Sequence, residues 1–250
     1  MKRQRILTVF RTEMKKLIRT PMFLFFSLFF VAMLVIIFGL VLGNNYGWGP
    51  DLSVFEQMVP GMFAYSGILT IFTVASSVTG DRDIGVERRM NTTPITSGEV
   101  MIGQILSYTI IPIIQTAIML ITALLIGFRP NFSVAGVLLV FVFMIFLSFC
   151  SVGLGLITAT IAKDAKAAGA LAFIFIVPQQ LFGSFIYMGE GTKVIGYFMP
   201  SQYVTDALYR ISYGTTLTDV NIWIDLVAII IISFIIYVIG LILYDKYKST

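Results

Sequence analysis

The sequence contains no histidine, a single cysteine and few charged residues. The absence of histidine excludes an imidazole general base and any zinc site built from cysteine and histidine ligands. With one thiol, Cys150, the chain cannot form an internal disulfide. Because Cys150 lies between Phe149 and Ser151 in an apolar stretch, we expect it to pack in the interior rather than to react.

Charge is also scarce: only 12% of the 250 residues are charged, 58% are hydrophobic, and the mean hydropathy is +0.93. A soluble domain carries about a quarter charged residues, so a lipid bilayer is the solvent that fits this composition. Six stretches contain no Asp, Glu, Lys or Arg, and each is long enough for one membrane-spanning helix. The sequence therefore predicts an all-α integral membrane protein, a single domain over residues 1–250, with spans near 22–43, 59–79, 101–126, 135–161, 168–188 and 224–244.

The basic residues occupy alternate connecting segments. Fourteen of the 17 Lys and Arg residues lie before the first predicted span or after the second, fourth and sixth. By the positive-inside rule, this pattern predicts a multi-pass protein of the cell membrane with both termini in the cytoplasm. The same residues are spread over short segments without an aromatic platform, which argues against nucleic acid as a partner.

Residues 1–20 predict an amphipathic helix that lies in the lipid headgroup plane. One stripe of this segment is apolar and the other positions are mostly basic, which directs cations toward anionic lipid. The helix could serve only as a topological anchor, or it could also contact a cytoplasmic partner. The apolar stripe consists of Ile6, Leu7, Phe10, Met14, Leu17 and Ile18.

Residues 80–99, between the second and third spans, carry both charge signs at high density. A connection that only reverses the chain needs about four residues. The extra length therefore indicates a surface for a cytoplasmic partner, and the alternative is a solvated turn whose arginines set the topology. Thr96 and Glu99 have the spacing of a capping box, which predicts that the next helix starts there.

Within this segment an acidic-basic cluster precedes a Thr-Pro-hydrophobic step and an acidic residue, namely Glu87-Arg88-Arg89, Thr93-Pro94-Ile95 and Glu99, with Gly103 beyond them. In this order of motifs the chain resembles the type-2 ABC exporter permeases. In that family the segment is a coupling helix that docks on an ATPase subunit. The resemblance implies the same contact for Asp83, Glu87, Arg88, Arg89, Met90 and Pro94.

The resemblance also implies a division of roles between chains. ATP and Mg²⁺ would bind to the separate ATPase, this chain would carry no cofactor, and it would dimerise with an identical or a different permease. The sequence contains no G-x-x-x-x-G-K-[ST] phosphate loop, as that division requires.

Residues 189–223, between the fifth and sixth spans, are too apolar for a plain loop and predict short re-entrant helices on the outer face. Ser201 is expected to cap the second of these helices, and Asp206 and Arg210, one turn apart, to form an ion pair. A Pro, a Tyr and an Asp-Ala-Leu run again resemble the permease family, although Tyr209 separates that run from Arg210. The resemblance implies an outer gate, with packing alone as the alternative, at Pro200, Tyr203 and Asp206.

No Asp, Glu, Lys or Arg lies in the middle of a predicted span. Ion-driven carriers and intramembrane proteases need such groups, so the energy for transport is expected from a partner. On the fourth span, residues 151, 155 and 159 are small, which predicts close helix packing. Three amides follow prolines and either satisfy the freed backbone or line a transport path, namely Gln115, Gln179 and Gln180.

Together these features predict the membrane-spanning permease subunit of an ATP-driven exporter. Its cargo would be an amphipathic drug, peptide or lipid-like molecule that leaves the cytoplasm. The alternative is a non-transporting immunity or sensor module that binds a partner protein. A membrane-embedded enzyme is a third class, and the sequence offers no catalytic set for it.

Overall fold

The computed structural model describes residues 2–42, 53–86, 95–131, 133–185, 194–214 and 217–248. Within these ranges the chain is helical apart from short connections. A π-helical turn, Leu181–Phe185, continues the sixth helix. The helices are α1 (Lys2–Arg19), α2 (Pro21–Leu42), α3 (Val54–Asp83), α4 (Ser97–Ile126), α5 (Val134–Ile161), α6 (Ala165–Gln180), α7 (Pro200–Tyr213) and α8 (Val220–Lys248).

Six of the described helices, α2 to α6 and α8, are long and apolar enough to cross a bilayer, so the predicted number of spans is confirmed. The chain is a multi-pass membrane protein. The predicted limits 59–79 and 101–126 are shorter than α3 and α4, which contain 30 residues each. Such helices are about 45 Å long and exceed the hydrocarbon core of about 30 Å. Charge-free windows mark only the part inside hydrocarbon, whereas helical hydrogen bonding continues through the charged residues beyond it.

Side-chain caps define where several helices begin. Ser53 with Glu56 and Thr96 with Glu99 form capping boxes at α3 and α4, which confirms the box predicted at Thr96. Each box gives partners to backbone N–H groups that a helix start leaves unpaired. Pro21 is the first residue of α2, where its missing N–H costs nothing.

The centre of the bundle is α3. It packs against α4, α5, α6 and α7 and is the most buried of the six spans. At the crossing with α5, a Cβ on Gly155 would lie 2.8 Å from Val74 Cβ and 2.9 Å from the Ile71 carbonyl oxygen. Because Ser151 and Ala159 are buried on the same helix, the predicted small-residue stripe is confirmed as close packing. Cys150 is also buried, as expected.

The outermost spans are α2 and α8, which bury the smallest share of their residues. Both helices are apolar around most of their circumference, so hydrocarbon is the environment that suits their exposed faces. On α2 these faces include Phe25, Phe26, Phe29 and Phe30, and on α8 they include Ile231, Phe234 and Ile235.

The first helix, α1, forms where an amphipathic helix is predicted, and its buried face overlaps the predicted stripe only in part. Leu17 of that stripe is buried, and so are Val9 and Glu13 outside it, whereas Leu7 and Ile18 are exposed. The helix packs on α4 as well as α2, so tertiary contacts decide which face is covered. Close contact with α4 requires Gly103, because a Cβ there would lie 2.7 Å from Val9 Cβ.

Candidate functional site

The structure describes only the two ends of the predicted coupling segment, residues 80–99. Glu87, Arg88, Arg89, Met90 and Pro94 lie outside the described residues, whereas residues 80–86 and 95–99 lie within them. The site can therefore be built from the helix ends that hold this segment, the last turn of α3 and the first turn of α4.

Two consecutive residues tie the end of α3 to its neighbours. The carboxylate of Asp81 lies 2.5 Å from the Lys16 ammonium on α1. The Arg82 guanidinium donates to the Ala159 carbonyl oxygen at 3.1 Å and also to the Ala162 carbonyl oxygen. These carbonyls are at the end of α5, where unpaired acceptors and the helix dipole attract a cation.

The next residue, Asp83, binds the start of α6. Its Oδ2 accepts a hydrogen bond from the Ala165 N–H at 3.1 Å. A carboxylate is stabilised at this position because the N–H groups of the first helical turn point toward it. Asp83 therefore makes a contact inside the chain, and its predicted contact with an ATPase stays a prediction.

The start of α4 is held through Glu99. Its carboxylate accepts from the Thr96 N–H at 3.0 Å within the capping box. The same oxygen lies 3.7 Å from Arg5 Nη1 on α1. We call the two ion pairs Lys16–Asp81 and Arg5–Glu99 the α1 clamp. They are 11 positions apart on α1, about 16 Å, so one helix contacts both ends of the predicted coupling segment.

Between the two ion pairs lies a buried polar cluster that contains Glu13, Gln104 and Tyr108, together with the half-buried Ser77. Glu13 is only 7% exposed. Tyr108 Oη lies 3.1 Å from Glu13 Oε2 and 2.7 Å from Ser77 Oγ. Because an ionised carboxylate only accepts, the single phenolic proton goes to Glu13 and the Ser77 hydroxyl donates to Tyr108.

The electrostatics of Glu13 follow from this position. Burial raises the pKa of its carboxyl group, and the nearby Lys16 ammonium opposes that shift. Asp81 adds to the rise, whereas the hydrogen bonds from Tyr108 and Gln104 lower the pKa. Sequence reasoning missed Glu13 because the surrounding segment is basic. Glu13 could have been noticed as the single acidic residue before the first span.

The α1 clamp yields a charge-exchange prediction. We expect Lys16→Asp to lower the free energy of unfolding by about 1–2 kcal/mol, because it sets a third carboxylate beside Asp81 and Glu13. The double variant Lys16→Asp with Asp81→Lys should recover most of that loss. Thermal unfolding midpoints in detergent would test this, and a double variant no more stable than the single one would contradict the pairing.

At the opposite end of the bundle, α7 is joined to α6 by two hydroxyls. Ser201 donates to the Gln179 carbonyl oxygen at 3.0 Å, and Thr205 donates to the Gly183 carbonyl oxygen at 2.8 Å. The predicted cap at Ser201 is wrong: α7 begins at Pro200, and its N-cap residue makes no side-chain cap bond. The π-helical turn explains the difference, since a register change leaves carbonyls that need other donors.

The predicted outer-gate residues all lie on or next to the first two turns of α7. Pro200 is its first residue and is buried, and the Tyr203 hydroxyl donates to the Tyr197 carbonyl oxygen at 2.8 Å. Asp206 is half-buried one turn further along. Arg210 was predicted to pair with Asp206, and its guanidinium lies 3.2 Å from Asp219 Oδ2.

That carboxylate, on Asp219, precedes α8. Its pKa lies below the ordinary value, first because the Asn221 N–H donates to it and also because of Arg210. The pair therefore connects the end of α7 to the start of α8. The sequence did not predict the Arg210–Asp219 pair, because two residues nine positions apart across a turn have no fixed distance.

The three predicted pathway amides do not share one helix interface. Gln115 is buried on α4 and donates to the Ser27 carbonyl oxygen of α2 at 3.4 Å. Gln179 is buried on α6 beside Ser201, and Gln180 is half-buried next to it. The structure therefore separates Gln115 from the other two, and a single path lined by all three stays a prediction.

Comparison with known proteins places the chain in a family. Residues 4–213 match the ABC-2 type transporter family, a range that includes the α1 clamp and α7. The probable multidrug ABC transporter permease YbhR of Escherichia coli strain K12 is 24% identical over 200 residues, which is 78% of this chain and 53% of that protein. YbhR of Escherichia coli O157:H7 matches with the same identity and coverage. The chain spans about half the length of these relatives.

The family match covers most of the chain, and the six spans have the composition that a membrane subunit requires. The chain therefore belongs to the ABC-2 type transporter family.

Proposed function

We propose that this chain is the permease subunit of an ATP-driven exporter and that a separate ATPase subunit docks on residues 80–99. The observation that carries the proposal is the α1 clamp. It joins both ends of that segment to one helix, while Arg82 and Asp83 join it to α5 and α6. A push on the segment would thus reach α1, α5 and α6 in addition to α3 and α4, which it connects.

A long rigid helix could transmit such a movement across the membrane. α3 runs for about 45 Å from Val54 to Asp83. At its far end the Tyr213 hydroxyl of α7 donates to the Glu56 carbonyl oxygen at 3.0 Å. ATP-driven displacement of the coupling segment would therefore be felt at α7, which carries Pro200, Tyr203 and Asp206. In this proposal these residues form the outer gate, and rigid-body helix motion opens it.

The remaining parts of the proposal follow the sequence and the relatives. Both termini would face the cytoplasm of a cell whose plasma membrane holds the protein. ATP and Mg²⁺ would bind to the ATPase, and two permease chains would form one path. YbhR is named as a probable multidrug permease, which supports an amphipathic drug-like cargo over a long polar one.

Co-purification with a candidate ATPase in detergent tests the docking site. We expect Glu87→Arg and Arg88→Glu each to weaken ATPase binding at least about tenfold, since charge reversal converts attraction at the interface into repulsion. Arg129→Glu is the matched control. It reverses an exposed arginine in the connection after α4, on the predicted outer side, and should leave binding unchanged.

Two outcomes would contradict the proposal. If no ATPase co-purifies with the wild-type chain, the exporter assignment fails. If an ATPase binds but both reversals leave its affinity unchanged, residues 80–99 are not the docking element. Either result favours the non-transporting immunity or sensor module.

A further inference from the structure

A cleft of about 320 Å³ opens between α2, α3 and α4. Its volume lies at the lower end of the range of small-molecule sites. Phe26, Phe30 and Phe72 form an exposed aromatic rim. The rest of the lining carries no charge and consists of Ser27, Leu69, Thr70, Thr73, Ile111 and Gln115.

Two buried polar side chains in this lining each have an oxygen that makes no hydrogen bond with the described residues. Thr70 and Gln115 are each only 4% exposed. Gln115 donates to the Ser27 carbonyl oxygen, which fixes the orientation of its amide and leaves Oε1 as an acceptor. No hydrogen bond of the described residues involves Gln115 Oε1 or Thr70 Oγ1. The other two hydroxyls of the cleft, on Ser27 and Thr73, donate to carbonyls of their own helices.

The uncharged lining and the two oxygens without hydrogen bonds favour one kind of molecule in the cleft over others. A lipid acyl chain would leave the Thr70 hydroxyl and the Gln115 carbonyl unsatisfied in hydrocarbon, which is unfavourable. A charged group would find no counter-charge in the lining. An uncharged molecule with a hydroxyl or amide could donate to Gln115, accept from Thr70 and pack its rings edge-to-face on the phenylalanines.

The depth of the cleft follows from helix geometry. Ser77 and Tyr108 are hydrogen bonded to each other in the buried polar cluster. Thr70 and Gln115 each lie seven residues further along the same two helices, which is about 10 Å. Thr70 and Gln115 are therefore near the middle of α3 and α4, whereas Phe26 and Phe30 are in the first three turns of α2. With the predicted topology, the cleft extends from the cytoplasmic half of the bilayer to its midplane.

We propose that this cleft binds an uncharged, ring-containing amphipathic molecule through hydrogen bonds to Gln115 and Thr70 and ring contacts with Phe26, Phe30 and Phe72. The site takes such molecules laterally from the cytoplasmic leaflet. As an entry site for cargo, this inference rests on the proposed transport function. As a binding site, it requires only the permease chain.

Photolabelling tests the site with the permease alone in phosphatidylcholine nanodiscs, without any ATPase. The probe is 4-(hydroxymethyl)benzophenone, and the matched probe without a hydroxyl is 4-methylbenzophenone. We expect saturable labelling by the first probe at the cleft residues, located by peptide mass spectrometry. Gln115→Leu should reduce this labelling about five- to tenfold, the loss expected for one buried hydrogen bond. Thr122→Val, which removes a hydroxyl bonded within α4, should leave labelling unchanged.

The outcomes distinguish a small amphipathic molecule in the cleft from lipid tails or a second copy of the chain. Non-saturable labelling, or equal labelling by both probes in wild type and Gln115→Leu, would mean that lipid tails fill the cleft. Labelling that falls as the chain self-associates would identify a second copy as the occupant. Each result overturns the inference, provided that unfolding midpoints show all variants folded. Because no ATPase is present, failure of the docking proposal would leave this measurement intact.

Discussion

Alanine at position 61 is expected to destabilise the fold by about 3 kcal/mol or more. Gly61 is buried on α3 where that helix meets the π-helical turn. An added Cβ would overlap the backbone carbonyl oxygen of Ser184, and no side-chain rotation can relieve that overlap. α3 and α6 would have to separate, which opens the centre of the bundle. A lower thermal unfolding midpoint in detergent, with less monodisperse protein, is the expected observation.

A second glycine on the same helix provides the control. Nothing lies within 4 Å of a Cβ built on Gly80. Alanine there should be neutral or stabilise the helix by up to about 1 kcal/mol, because alanine has the higher helix propensity. Equal midpoints for Gly61→Ala and Gly80→Ala would contradict the close approach of α3 to the π-helical turn.

The other large effect is expected at Glu13. Replacing it with alanine removes the acceptor of the Tyr108 hydroxyl and the carboxylate near Lys16. Loss of a buried charged hydrogen bond should lower the free energy of unfolding by about 2–3 kcal/mol. Glu13→Gln keeps the size and an acceptor oxygen and should lose less. If alanine and glutamine variants unfold at the same midpoint as wild type, α1 is not attached through this cluster.

The raised pKa of Glu13 adds a pH dependence with a defined sign. Burial makes the folded protein bind this proton more tightly than the unfolded chain does, with Lys16 opposing and Asp81 reinforcing the effect. The contribution of Glu13 to stability is therefore full below its unfolded pKa and is lost as the pH rises through its folded pKa. We expect the wild-type midpoint to fall more steeply than that of Glu13→Gln as the pH rises above about 4, the ordinary pKa of a glutamate. Parallel pH profiles would mean that the carboxyl group is not buried.

The helix starts and the spans could be predicted because they depend on short stretches of sequence. Thr96 and Glu99 cap α4 through contacts three residues apart, so their spacing is sufficient. The small residues around Gly155 likewise indicate a packing face by their four-residue repeat. By contrast, Ser201 has a favoured capping residue type, yet it bonds Gln179 on another helix. The residues next to Ser201 in the sequence do not indicate that its hydroxyl bonds another helix.

The candidate site was predicted only in part. The sequence pointed to residues 80–99, and the structure adds the α1 clamp and the cluster around Glu13. Lys16 and Asp81 are 65 positions apart, and Glu13 and Tyr108 are 95 apart. Pairs so distant in sequence come together only when helices pack, so a charge pattern cannot identify them.

The sequence by itself determined the six apolar spans that the described part of the chain contains, because hydrocarbon excludes charge from every window of about 20 residues. It also determined where the topogenic cations lie. Only the tertiary structure decided which polar residues became buried, among them Glu13 beside Tyr108 and Thr70 near Gln115. The physical reason is that exclusion from hydrocarbon acts on each segment separately, whereas burial and hydrogen bonding depend on the neighbours that packing supplies.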